Sequence, residues 1–140
     1  MWFNVPIAAI LRSPFHGLMS RNVMLVTVTG RKSGVAYTTP VNYLPVGEEL
    51  WTVSFRNRTW WRNLRGGAAV SLRLRGRVVQ TTAQVVEPQA EVAQALAKLV
   101  EVSPGYARNL GIRRTPDGRV DPSKLQGAAR DRVIVRVRAA

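Results

Sequence analysis

Val23-Met24-Leu25-Val26-Thr27-Val28-Thr29-Gly30-Arg31-Lys32-Ser33-Gly34-Val35-Ala36-Tyr37-Thr38-Thr39-Pro40 begins as a β-branched run, turns between two glycines and continues as a second extended run. A strand that enters a glycine-bounded turn and emerges as another strand is a hairpin. Had a helix followed, the same turn would read as a P-loop or a dinucleotide fingerprint; no helical pattern follows. Glycine at both ends permits positive φ and close backbone approach. Exposed N–H groups flanked by Arg31 and Lys32 then make a seat for a phosphate. A solvated hairpin tip is the plainer reading of the same residues.

Outward from the hairpin the pattern stays β. Val35 to Val46 reads as the returning strand, and Pro40 assigns it to a sheet edge or a bulge. Gly47-Glu48-Glu49 is a turn, and Leu50 to Phe55 is a third strand. Arg58 to Arg65 suits a short helix, stopped by Gly66-Gly67. Val70, Leu72 and Leu74 alternate with Ser71, Arg73 and Arg75, so one face of that strand is apolar. Gly76 turns the chain into Val78 to Val86. Pro88 opens a helix to about Val102, with Val92, Leu96, Leu99 and Val100 as its buried stripe. Pro104 to Gly111 is a second helical piece, Thr115 to Gly127 a loop with one turn of helix, and Arg132 to Arg138 a closing strand.

Short strand-to-strand connections exclude a parallel βαβ fold. The expected architecture is mainly β (α+β): a six-stranded antiparallel split barrel with an N-terminal helix and peripheral helices. It forms one domain over residues 1–140, with 1–20 as the N-terminal helical segment. Trp2, Phe3, Ile7, Ile10 and Leu11 fall near helical spacing in that segment. It packs on its own domain or a dimer partner, or rests on a membrane surface. Its apolar run is too short and broken to be a signal peptide or a membrane span, so a cytoplasmic protein is expected, with peripheral contact at the inner face of the membrane as the variant.

Composition narrows the chemistry. The chain has no cysteine and a single histidine, His16, which removes thiol catalysis and Ser-His-Asp triads. Eight carboxylates leave little for a metal cage, so no protein-bound metal is expected. A formal net charge of +13 attracts anions such as phosphorylated cofactors or nucleic acid. Trp60-Trp61-Arg62-Asn63 sets two flat aromatics beside Asn and Arg, a kit for holding a planar ring with polar edges. Phosphate seat and ring platform together point to a nucleotide-like cofactor, and few acid–base groups suit chemistry carried by a cofactor.

Leu25 to Gly34, then Pro40, Ser54 and Trp60-Trp61-Arg62-Asn63-Leu64, in this order and spacing, resemble the deazaflavin-dependent nitroreductase family. That family lies within the split β-barrel flavin and deazaflavin oxidoreductases. The resemblance implies a homodimer that binds reduced coenzyme F420 in a groove, with FMN as the alternative cofactor. It implies hydride transfer to an activated small-molecule acceptor, a quinone or a nitroaromatic. It places Arg31, Lys32, Ser33 and Gly34 by the cofactor phosphate and Pro40, Trp60, Trp61 and Asn63 near the cofactor. Ser54 borders both cofactor and substrate, and Ser54 and Tyr106 serve the reaction. Three positions depart from the family pattern: Tyr37 replaces an arginine, Phe55 a lysine and Asn109 a tyrosine, with Arg56 and Arg58 as substitutes for the lysine. Two further readings stand beside this one. One is a ligand carrier without turnover. The other is a nucleic-acid-binding barrel using Arg73, Arg75 and Arg77; it ranks low because the aromatics do not spread across a strand face, so no nucleic-acid partner is expected.

Overall fold

The computed structural model describes residues 23–74, 76–113, 115–117 and 119–138. The expected N-terminal helix and His16 lie outside the described residues. Seven strands form one antiparallel sheet: β1 (Val23–Thr29), β2 (Ala36–Asn42), β3 (Leu44–Val46), β4 (Glu49–Phe55), β5 (Ala68–Leu74), β6 (Arg77–Val86) and β7 (Arg132–Arg138), in the order β2-β1-β5-β6-β7-β4-β3. The hairpin holds throughout its length, from Val23 opposite Asn42 to Thr29 opposite Ala36.

The strand count is seven rather than the expected six because the segment read as one returning strand divides at Tyr43. Its two parts, β2 and β3, lie at opposite edges of the sheet although one residue joins them. Such a link is possible only if the sheet curls until its edges meet. Chain continuity, with Tyr43 buried, closes the barrel where no ladder does. Pro40 sits exposed on the edge strand β2, where its missing N–H costs nothing.

Met24, Val26, Val28, Leu50, Val70, Leu72, Val133, Val135 and Val137 fill the barrel, each contributed by the inward face of an alternating strand. A 3-10 helix, Trp60–Leu64, plugs it with Trp60, Trp61 and Leu64. A second core lies outside the sheet, where α1 (Gln89–Val102) and α3 (Pro122–Ala129) pack over Ile134 of β7, joined by the short α2 (Tyr106–Asn109). α3 is a correction: a loop with one turn of helix was expected there. Asp121 caps it by accepting from the Ser123 N–H at 2.9 Å, Pro122 occupies its first turn, and Leu125, Ala128 and Ala129 are buried. Burial of those three holds a segment whose polar composition alone favours a loop.

Candidate functional site

The turn between β1 and β2 is tied down from two sides. Gly34 N–H donates to Gly30 O at 2.8 Å, and Gly30 N–H to Val35 O at 2.9 Å. Gly34 has φ 70°, a left-handed conformation that suits glycine, with open space where a Cβ would stand. At Gly30 the matter is space: a Cβ there would stand 2.7 Å from Ser33 Oγ, so the serine side chain would have to move.

The second tie comes from Asn63. Its Oδ1 accepts from the Arg31 N–H at 3.1 Å, and its Nδ2 donates to Tyr37 Oη at 2.5 Å and to Trp60 O at 3.2 Å. Arg31 answers with Nε donating to Asn63 O at 3.1 Å and Nη2 donating to Arg65 O. Arg65 in turn pairs with Glu87 at 3.0 Å and lies 5.1 Å from the Trp61 ring centre. Asn63, expected near the cofactor, holds the backbone of the turn through these bonds. Arg31, read as a phosphate cation, spends its Nε and Nη2 on carbonyls. Lys32 is exposed and makes no ion pair with any described residue, and the Lys32 and Ser33 N–H groups have no hydrogen-bond partner among them. Burial pushes the Tyr37 phenol up from its ordinary value, and the Asn63 hydrogen bond offsets part of that rise.

Trp60 and Trp61, read as a platform for a planar ring, are both buried. A repeat of three residues per turn aligns Trp61 with Leu64, and Trp60 fills the barrel core beside them. Their indole N–H groups donate to Ser54 Oγ at 3.1 Å and to Phe55 O at 3.3 Å. The Ser54 hydroxyl itself donates to Phe55 O at 3.3 Å.

A cavity of about 630 Å³ opens beside the barrel seam, lined among others by Tyr43, Ser54, Phe55, Tyr106, Asn109 and Arg132. It brings together Ser54 and Tyr106, the two residues expected to serve the reaction, and two of the three family departures, Phe55 and Asn109. Burial raises the Tyr106 phenol above 10.0, against a smaller opposing pull from the Arg132 charge, so it holds its proton at neutral pH. Of the two arginines offered in place of a lysine, Arg56 instead donates to Glu87 O and Ala129 O and ties β4 to the helices. The cation at Phe55 comes from β7: Arg132 is its cross-strand partner, 4.8 Å from the ring centre. Sequence reasoning missed Arg132 because its place beside Phe55 depends on the register between β4 and β7.

Turn and cavity are separated by the hairpin. The turn caps one end of β1 and β2, while Val23 and Asn42 at the other end line the cavity. Seven strand residues span about 20 Å, and the exposed edge of β2 with Pro40 runs between the two.

The curled antiparallel barrel carries a cationic turn at one end and a phenol-lined cavity near the other, in keeping with the split-barrel fold expected from the sequence. The chain matches the model of the F420H2-dependent quinone reductase family over residues 13–115. It belongs to that family, and is therefore an oxidoreductase with coenzyme F420 as its cofactor. No curated protein matches the chain. Among solved structures, one described as a domain-swapped dimer is 20% identical, covers 97% of this chain and 96% of its own, and has a TM-score of 0.55. An F420-H2 dependent reductase, FDR-A, is also 20% identical, over 82% of this chain and 93% of its own, with a TM-score of 0.52. The flavocytochrome Anf3 from Azotobacter vinelandii is 12% identical, over 87% of this chain and 61% of its own, with a TM-score of 0.52. At these identities the likeness is one of fold.

Proposed function

We propose that the chain transfers a hydride from reduced F420 to a quinone or similar activated acceptor seated in the Ser54–Tyr106 cavity. The observation that carries this reading is the cavity itself, which gathers a half-buried phenol and a guanidinium beside the seam of the barrel.

The residues present fit the coenzyme. Its phosphate suits the Lys32 ammonium and the unspent N–H groups of Lys32 and Ser33, with Gly34 leaving space and Arg31 bracing the turn. The edge of β2 at Pro40 offers a track from the turn toward the cavity, and the buried Trp60 and Trp61 support Asn63 and Ser54 from inside the barrel. When bound, reduced F420 supplies the hydride.

The chain's own task is then to place the acceptor and deliver a proton. A quinone that gains a hydride carries a negative oxygen, and the Tyr106 hydroxyl donates its proton there before regaining one from solvent. The Ser54 hydroxyl, engaged with Trp60 and Phe55, holds the cavity wall in shape. A second copy completes the protein: Val35 and Val78, 57% and 64% exposed, are apolar surfaces that a homodimer covers, and a solved structure of this fold is a dimer.

Anaerobic mixing of reduced F420 with a quinone tests the reading through the return of oxidised-coenzyme absorbance. Turnover by the wild type and a kcat lower by about a hundredfold or more in Tyr106→Phe are expected. Absence of turnover, or an unaffected Tyr106→Phe, would refute it.

A further inference from the structure

Arg132 has more donors than its structural work uses. Nη1 is committed, donating to Ala128 O at 3.1 Å and Asp131 Oδ1 at 2.9 Å, which ties β7 to the end of α3. The guanidinium lies over Phe55, so one of its faces is taken. Nε and Nη2 have no hydrogen-bond partner among the described residues, and neither is a buried unsatisfied atom, so both retain contact with solvent. The side chain as a whole is only 16% exposed.

Those two nitrogens are the edge of a guanidinium that grips a carboxylate through two parallel N–H donors. The cavity's described lining holds Arg132 as its one cation and includes no carboxylate. Asp131, the only acid on Arg132, binds the opposite nitrogen and is itself 64% exposed, which leaves the charge incompletely countered. Asn42, Asn109 and Tyr106 supply neutral polar groups to the same lining.

We propose that the free edge of Arg132 is an anion subsite of the acceptor cavity, so that the preferred acceptor is a planar quinone bearing a carboxylate. This rests on the cavity being the acceptor space. Arg132 then sets which acceptor binds and how it lies, while Tyr106 supplies the proton. The carboxylate takes no part in electron transfer: two electrons and a proton arrive at the quinone as hydride, and a second proton arrives from Tyr106.

The test compares a naphthoquinone carboxylic acid with its uncharged methyl ester under saturating reduced F420 at neutral pH. In the wild type, kcat/KM favours the acid. Arg132→Gln should lower kcat/KM for the acid roughly ten- to a hundredfold more than for the ester, through KM. Tyr106 stays protonated in that variant because loss of a nearby cation only raises its pKa, so the ester is a fair control. Arg132→Lys keeps the charge without the fork and should recover part of the selectivity; it also carries the test if the Gln variant does not fold. Naphthoate binding to coenzyme-free protein, followed by NMR, should weaken in parallel.

Equal losses for acid and ester, or no loss for either, would overturn the subsite. Asn109→Trp separates this from failure of the underlying reading. Filling the cavity should suppress turnover of both quinones; full turnover in Asn109→Trp would show that the acceptor binds elsewhere.

Discussion

Lys32 stands out among the residues of the turn because everything around it is already engaged. Arg31 holds carbonyls, Asn63 holds Arg31, and Ser33 Oγ accepts from the Val35 N–H at 3.2 Å. A cation left free beside two unspent N–H groups has an anion as its natural partner. Lys32→Ala should therefore weaken F420 binding roughly ten- to a hundredfold, as read by fluorescence titration. The melting temperature should hardly move, since a solvated hairpin-tip charge adds little to stability. A coenzyme fragment lacking the phosphate should bind wild type and variant alike; equal loss for that fragment would remove the phosphate seat. This residue was legible from its glycine neighbours. Arg132 was not, because its meaning depends on Phe55 across the sheet, and cross-strand register is not a local property of sequence.

At the scale of elements, periodicity carried most of the information. Val70 and Leu72 face inward, and Val92, Leu96, Leu99 and Val100 form the buried stripe of α1, as alternation and helical spacing require. The failures lie where tertiary burial overrides local preference. The helix plugging the barrel buries both tryptophans, and α3 exists because Leu125, Ala128 and Ala129 find α1 and β7. The β4–β7 pair offers a test through pH. Glu49 accepts from Trp51 Nε1 at 3.0 Å and from Arg136 Nη2 at 2.7 Å. Burial by itself would raise its carboxyl; the Trp51 and Arg136 hydrogen bonds and the charges of Arg136 and Arg138 outweigh it and hold the pKa below 4.5. A lowered folded pKa adds stability that is complete above the unfolded value and disappears as pH falls through the folded one. Thermal melts should show this loss below about pH 4.5 in the wild type and a flatter acid limb in Glu49→Gln. Identical acid limbs would mean that the network contributes nothing.

For the whole molecule, the expected antiparallel barrel was readable from short connections and the hairpin, while the division of its returning strand at Tyr43 was not. Nothing local to Tyr43 marks a break; it arises because one segment must serve both edges of a curled sheet. The exposed Val35, Val78 and Val102 lead to the prediction of a homodimer. Sedimentation at micromolar concentration should give about twice the 15.5 kDa chain mass, and a monomer throughout that range would contradict it.

Closing a sheet through its covalent chain makes Tyr43 a clasp. The edges of β2 and β3 stay joined at Tyr43, but among the described residues no ladder links them beyond it, so splaying them about that joint should cost less than unfolding the barrel. Amides along the outer edges of β2 and β3 should thus exchange with deuterium well before those shared by β5, β6 and β7, a difference hydrogen-exchange mass spectrometry can read. Since Asn42, Tyr43 and Leu44 also wall the cavity, the cheapest breathing of this molecule is a widening of the chamber in which its acceptor is proposed to sit.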